Sequence, residues 1–191
     1  MGFRGLVIEA MRLSVFVVFL LAASWKDYKT KQVAVRLFWI AGAAALGLWF
    51  AWGLEVTAEV LSSGQNQRLA AELWELSWPF LFGMMPGMAL LCFSKIGGEI
   101  GDGDGWFFLI CGWYLGLWDT LFLLFGAVFL CGLAGLGYYV TGRIQGSLVS
   151  RMRGKTQWPF LPFAVVPGVW IAAVRLKNIW QMMALLRRFR V

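Results

Sequence analysis

Histidine is absent from this 191-residue chain, and charged residues make up only 14% of it. Without histidine the chain cannot supply a His-based zinc site, a haem axial histidine, or the base of a Ser-His or Cys-His catalytic pair. Cysteine is also scarce, since Cys92, Cys111 and Cys131 each lie alone within an apolar run and form no Cys-x-x-Cys pair. These absences exclude the commonest zinc, haem and histidine-assisted nucleophile chemistries.

Apolar residues, in contrast, make up 60% of the chain, and the mean hydropathy is +0.71. A soluble domain is nearer half apolar and a quarter charged, so the composition predicts an integral membrane protein. The 12 tryptophans fit aromatic belts at the two membrane interfaces. The net charge of +7 therefore predicts basic cytoplasmic loops and contact with a lipid bilayer, with no nucleic-acid partner.

Apolar runs predict an all-α, polytopic transmembrane bundle of about six helices, in a single membrane-embedded domain of residues 1–191. Pro79 and Pro86 predict a kink in the third run, and Pro159, Pro162 and Pro167 predict a broken start to the last one. Residues 176–191 form a basic amphipathic tail, which is predicted to lie along a membrane surface. The runs cover residues 5–24, 37–54, 76–93, 105–118, 120–142 and 156–174.

The charge pattern predicts which loops are cytoplasmic. With the amino terminus outside, the loops near 25–36, 94–104 and 143–155 fall inside, where basic residues accumulate. The polar stretch 55–75 has four glutamates against Arg68 alone and falls outside. Six crossings leave the basic tail outside, against the same rule, so either the tail is tolerated there or the last segment does not cross fully.

Glu9 and Arg12, three positions apart, are expected to pair on one face of the first helix. Asp119 is expected to be an interfacial turn or cap.

Gly101-Asp102-Gly103-Asp104 is the stretch around which the chain is organised. Ionisable groups at the border of an apolar run usually face a polar cavity or a partner. Gly101 and Gly103 would let this loop approach an extended peptide closely, and Asp102 could attract a basic one. Asp104 alone could equally be the N-cap of a helix that begins at Gly105.

Asp27 and Asp104 are predicted to lie on the same face of the membrane. Asp27 follows the first helix and Asp104 begins the fourth, with 77 positions (104 − 27) between them. An ordinary solvated residue of a juxtamembrane loop is the alternative interpretation of Asp27.

Three motifs in order resemble those of the prepilin peptidases, the type IV leader peptidases, which are GxGD-type membrane aspartyl proteases. Residues 25–33 (W-K-D-Y-K-T-K-Q-V) resemble the family's D-x-x-T-x-x-(I/L)-P segment, and residues 101–104 match its GxGD. Residues 109–116 (L-I-C-G-W-Y-L-G) are similar to its A-A-x-G-x-W-L-G run. Residues 158–163 (W-P-F-L-P-F) are similar to its (I/V)-P-F-G-P-(Y/F) segment.

The resemblance implies an aspartic endopeptidase of the inner (cytoplasmic) membrane, which removes a short basic leader from type IV prepilin-like proteins at the cytoplasmic face. Asp27 and Asp104 would be catalytic, and no cofactor or metal would be needed. Ala34, Trp106 and Leu161 depart from the family pattern, where proline, lysine and glycine are usual. The family's amino-terminal cysteine-bearing domain has no counterpart here, so methyltransferase activity is without support.

Two close carboxylates do not both ionise readily, so one of the pair is expected to keep a proton. The dipole argument gives the ionised, water-activating role to Asp104 at a helix amino terminus, and the protonated role to Asp27 beyond a helix carboxyl terminus. Two other classes remain: a small ion-coupled transporter with Asp27 and Asp104 as relay groups, and a non-catalytic pilus or secretion assembly subunit derived from such a peptidase.

Overall fold

The computed structural model describes residues 3–30, 35–64, 68–97, 101–144 and 160–188. Within these ranges every regular element is a helix, which confirms the predicted all-α bundle. Helices α3 and α4 follow one another within one apolar span, Leu69–Ile96. The seven helical segments therefore correspond to the six predicted apolar runs. The helices are α1 Phe3–Thr30, α2 Val35–Ser62, α3 Leu69–Gly83, α4 Met85–Gly97, α5 Asp102–Leu115, α6 Leu117–Ile144 and α7 Leu161–Arg188.

Five stretches of the described residues are long and apolar enough to cross a membrane, which makes the chain a multi-pass membrane protein. They are Gly5–Thr30, Val35–Ser62, Leu69–Ile96, Leu117–Thr141 and Leu161–Leu186.

Helix α5 differs from the others because it is short and central. Its 14 residues span about 21 Å at 1.5 Å per residue, less than the roughly 30 Å of a bilayer's hydrocarbon core. It contacts α1, α2, α3, α4 and α6, and most of its side chains are buried. The Tyr114 hydroxyl donates a hydrogen bond to the backbone oxygen of Ala41 on α2, at 2.6 Å. The helix that carries Asp104 is therefore held by its neighbours rather than by lipid.

Glycines bring α5 into backbone contact with α3 and α4. A methyl group added at Gly112 would overlap the backbone of Gly83, and one added at Gly87 would overlap the backbone of Leu109. Small residues permit such close approach between membrane helices, which gain packing contacts that larger side chains would prevent. The position of α5 is thus set by backbone packing along one side.

The predicted kink in the third span is confirmed. Met84 separates α3 from α4, with Pro79 inside α3 and Pro86 in the first turn of α4. The next break was predicted at Asp119 but occurs at Gly116, whose φ of +80° lies in the region that favours glycine. Asp119 lies in the first turn of α6 instead.

Several helices extend beyond their apolar runs. Helix α1 continues to Thr30, through the charged residues that were expected to form a loop. Helix α2 continues to Ser62 and α3 begins at Leu69, so the polar stretch 55–75 is mostly helical. A charged side chain ends the buried part of a membrane helix, but it does not prevent the backbone from continuing into the interface.

The last span was predicted to begin with a break at its prolines and to end in a separate tail, whereas its described part, from Leu161, is one continuous helix; Pro159 lies outside the described residues. Helix α7 runs without a break to Arg188 and accommodates Pro167, which packs beside Gly126 of α6. Ile179 is buried, and Met183 packs against the hydrophobic core. The part of the chain expected to be a tail therefore belongs to a helix that runs antiparallel to α1.

Candidate active site

Asp27 lies in the last turn of α1 and contacts the beginning of α7. Its Oδ2 accepts a hydrogen bond of 3.0 Å from the backbone N–H of Leu161, and the N–H of Phe160 also acts on this carboxylate. These are amino-terminal N–H groups of a helix, which have no partner within the helix itself. Asp27 therefore caps α7 from a helix more than 130 positions earlier in the chain.

The same turn of α1 makes a second bond to Leu161. The hydroxyl of Ser24, which is only 5% exposed, donates to the Leu161 carbonyl oxygen at 3.0 Å. Ser24 and Asp27 are three positions apart and lie on one face of α1. Together they bind both backbone polar groups of the first residue of α7.

Asp104 lies in the first turn of α5 and is not its N-cap. The N-cap is Gly101, whose carbonyl oxygen accepts the Asp104 N–H at 3.0 Å, and no side chain caps this helix. The helix begins at Asp102, three residues earlier than the capping interpretation required. The carboxyl of Asp104 is consequently available for a role other than capping.

Asp27 and Asp104 lie close together at the same end of the bundle. Burial raises the pKa of Asp104 to about 6, and the negative charge of Asp27 acts in the same direction. Because the two charges interact, both carboxylates belong to one region of the bundle. We call this region, with the start of α7, the aspartate end of the bundle.

The other residues of the GxGD stretch have distinct surroundings. Asp102 is exposed, and its Oδ1 accepts a hydrogen bond from the hydroxyl of Ser94 on α4. Gly101 has an ordinary extended backbone with φ −69°, so the left-handed conformation that its glycine permits is not used. A methyl group added at Gly103 would meet nothing within 4 Å among the described residues, so this position of the first turn of α5 is open.

The dipole argument for the two aspartates was incomplete because it considered only α1 beside Asp27. The positive amino terminus of α7 also faces Asp27, and its N–H groups stabilise the ionised carboxylate. Among the described residues, no hydrogen bond to the Asp104 carboxyl offsets its burial in the same way. The geometry therefore favours the reverse assignment, with Asp27 ionised and Asp104 protonated.

The remaining motif residues fall into two groups. Residues 109–116 lie mostly on α5 and serve its packing, as the buried Cys111, Tyr114 and Leu115 show. Leu161 is fully buried at the start of α7, and the indole of Trp106 is half exposed. Ala34, Trp158 and Pro159 lie outside the described residues.

Sequence reasoning missed a network of charged side chains away from the aspartate end. Arg175 of α7 donates to the Leu115 carbonyl oxygen at 3.0 Å, and it contacts Asp119 at 2.6 Å and Glu9 at 3.4 Å. Arg12 also contacts Glu9 at 3.4 Å, which confirms that predicted pair, and it lies over the Trp52 ring. We call Glu9, Arg12, Asp119 and Arg175 the arginine network.

The arginine network and the aspartate end connect the same helices at different depths. Glu9 lies 18 positions before Asp27, about 27 Å along α1. At one end Asp27 bonds to α7 and couples to α5, and at the other Arg175 joins α7 to α1 and to the α5–α6 junction. Arg175 therefore holds the carboxyl end of α5. Among the described residues, no group of three or more acidic, cysteine or histidine side chains is arranged to hold a metal ion.

The fold and this polar site define a multi-pass, all-α membrane protein with a pair of coupled carboxylates at one end of its bundle. Comparison of the chain with protein-family models, with curated proteins and with solved structures finds no match.

Proposed function

We propose that this protein is a membrane aspartyl endopeptidase, and that it cleaves the short basic leader from type IV prepilin-like proteins at the cytoplasmic face of the inner membrane. The observation that carries the proposal is the coupling between Asp27 and Asp104, two carboxylates 77 positions apart in sequence (104 − 27). Coupled carboxylates that share one proton are the arrangement that aspartic proteases use to activate water.

The proposed mechanism assigns a different task to each aspartate. Ionised Asp27 takes a proton from a water molecule as the water oxygen attacks the scissile carbonyl carbon. Protonated Asp104 donates its proton to the carbonyl oxygen, which leaves a neutral tetrahedral diol. As the C–N bond breaks, Asp27 passes its proton to the leaving nitrogen, and Asp104 regains a proton from a hydroxyl of the diol.

Two features support a peptide as the substrate. The open position at Gly103, next to Asp104 in sequence, would let an extended chain approach the first turn of α5. The carboxylates also lie at helix ends, where a cleavage site just before an apolar helix would meet them. The choice of a prepilin-like substrate rests on the motif resemblance of residues 25–33, 101–104 and 158–163.

The arginine network does not favour the transporter alternative. Glu9 and Asp119 lie away from the aspartate end, and each contacts Arg175. Acidic groups held in ion pairs are poor relays, because protonation would have to break the pair.

A cleavage assay tests the proposal. The protein is co-expressed in membranes with a reporter that carries a short Lys/Arg leader, a Gly-Phe junction, glutamate at the fifth mature position and an apolar helix. Asp27→Asn and Asp104→Asn are each expected to reduce cleavage by at least about 1,000-fold, since neither proton transfer can be replaced. Immunoblots of membrane fractions check that both variants are inserted.

Asp102→Asn is the matched control, because an asparagine oxygen can still accept the hydrogen bond from Ser94. It should retain most of the cleavage activity. Full activity in Asp27→Asn or Asp104→Asn would contradict the dyad. A wild-type protein that binds the reporter without cleaving it would favour the non-catalytic assembly subunit.

A further inference from the structure

The beginning of α7 forms a bridge between the two helices that carry the aspartates. On one side, the backbone of Leu161 is bonded by Ser24 and Asp27 of α1. On the other side, the Phe160 ring lies 6.1 Å from the ring of Phe108 on α5, one turn beyond Asp104. Leu161 is itself fully buried, so this bridge is part of the packed core.

The hydroxyl of Ser24 bonds to another helix, as that of Ser94 does, whereas most of the other described serines and threonines bond within their own helix. The hydroxyls of Ser14, Ser77 and Thr120 donate to a carbonyl four positions earlier in their own helix or junction, as is common in membrane helices. Ser24 instead donates across the chain to Leu161, at a separation of 137 positions. The bond therefore adds nothing to α1 itself and acts only on the position of α7.

We infer that Ser24 is a positioning residue for Asp27: its hydroxyl holds the first residue of α7 where the Leu161 N–H can bind the Asp27 carboxylate. The two bonds share Leu161, because the hydroxyl fixes its carbonyl while the carboxylate receives its N–H. If the Ser24 bond is lost, the start of α7 can move away from α1, and Asp27 loses the donors that stabilise its ionised form.

The inference deepens the proposed function, on which it rests for its catalytic consequence. If Asp27 is the group that accepts a proton from water, it must be ionised when the substrate arrives. Ser24 then acts on catalysis through Asp27, without touching the substrate. The charged groups near Asp27 among the described residues are Asp104 from α5 and the exposed Lys26 and Lys29 on its own turn.

The test compares Ser24→Ala with Ser24→Thr, which keeps the hydroxyl, and with Ser14→Ala, a matched control on the same helix. Difference infrared spectroscopy follows the carboxyl bands against pH in purified protein without substrate. In Ser24→Ala the lower of the two titration steps is expected to move up by about one pH unit, the size expected when a hydrogen bond to a charged group is weakened. Reporter cleavage should fall on the acid side of the pH profile, by up to roughly 10-fold at pH values well below the lower step, where a one-unit shift changes the ionised fraction by that factor.

Ser14→Ala should leave both readouts unchanged, and Ser24→Thr should restore both. Thermal unfolding checks that each variant is folded. An unmoved titration step in folded Ser24→Ala overturns the inference, and so does an equal shift in Ser24→Thr. If the step moves but the wild-type protein cleaves no reporter, the positioning role stands and the proposed function fails.

Discussion

The guanidinium of Arg175 and the carboxylate of Asp119 lie 2.6 Å apart, joining the middle of α7 to the first turn of α6. The same guanidinium binds the last carbonyl of α5, so one side chain holds three helices. Both side chains are about 30% exposed in the isolated bundle, which limits the strength of their ion pair.

Arg175→Ala should therefore lower the free energy of unfolding by about 1–3 kcal/mol, less than the loss of a fully buried partner. Lys177→Ala, an exposed cation two positions away, is the control and should change it little. The double variant Arg175→Asp with Asp119→Arg should recover part of the loss. Denaturation in detergent micelles measures all three. A double variant less stable than either single variant would contradict a direct pair.

Asp104 should carry the protonated carboxyl at mildly acidic pH. Its pKa of about 6 means that the acid form dominates below that pH and is lost above it. If the acid form donates to the scissile carbonyl, cleavage should fall about 10-fold for each pH unit above about 6. Infrared spectra at pH 5 should show a carboxyl band that is absent from Asp104→Asn. A band that disappears only in Asp27→Asn would reverse the two roles.

Asp27→Asn should move the titration of Asp104 to lower pH. The negative charge of Asp27 contributes to the raised pKa, but burial is the larger cause and persists in the variant. The midpoint should therefore fall below about 6 and stay above the ordinary value of 3.8. Infrared titration of this variant measures the shift. An unchanged midpoint would mean that the two carboxyls are not coupled.

Asp104→Asn should stabilise the folded protein at neutral and alkaline pH. Because the pKa of Asp104 is raised in the folded state, stability falls as pH rises from about 4 to about 6 and remains lower above that range. Asparagine cannot ionise, so the variant should gain at most about 3 kcal/mol at pH 8, from a shift of about two units. The gain should vanish near pH 4. Melting temperatures at the two pH values test this, and an equal gain at both would contradict the cause given.

Gly112→Ala should disrupt the packing of α5 against α3. The added methyl would overlap the backbone of Gly83, which cannot move aside as a flexible side chain could. We expect a loss of about 1–3 kcal/mol, as for overpacked cores, together with reduced cleavage because Asp104 moves with its helix. Gly132→Ala on α6 meets nothing within 4 Å and is the control, expected to be neutral or stabilising. Similar losses in both variants would show that helix propensity, rather than contact, is responsible.

The sequence was sufficient to predict the elements that depend on local composition. Apolar runs identified the six positions of the bundle, and Pro79 and Pro86 located the break in the third span. The three-residue spacing of Glu9 and Arg12 was enough to predict their pair. Each of these features depends on residues that are close in sequence. For the ion pair, the helical period places positions three apart on one face.

Contacts between distant helices could not be predicted in the same way. Nothing in the local sequence of Asp27 indicates that Leu161 will be its donor, since that pairing depends on how α7 packs against α1. Arg175 directly precedes the predicted basic tail, and nothing in its local sequence indicates that its side chain will contact Glu9 and Asp119. The dipole argument for the aspartates likewise considered only α1 beside Asp27 and could not include the amino terminus of α7.

The bond between Asp27 and Leu161 also has a consequence for biosynthesis. The carboxylate emerges from the ribosome 134 positions before its donor. At about 5–20 residues per second, roughly 7–27 seconds separate the two. During that interval α1 can enter the bilayer, but the groups that surround Asp27 in the finished bundle do not yet exist. A nascent chain that has not yet placed α7 therefore lacks the completed carboxylate pair, and the order of translation itself delays assembly of the site until almost every helix is in the membrane.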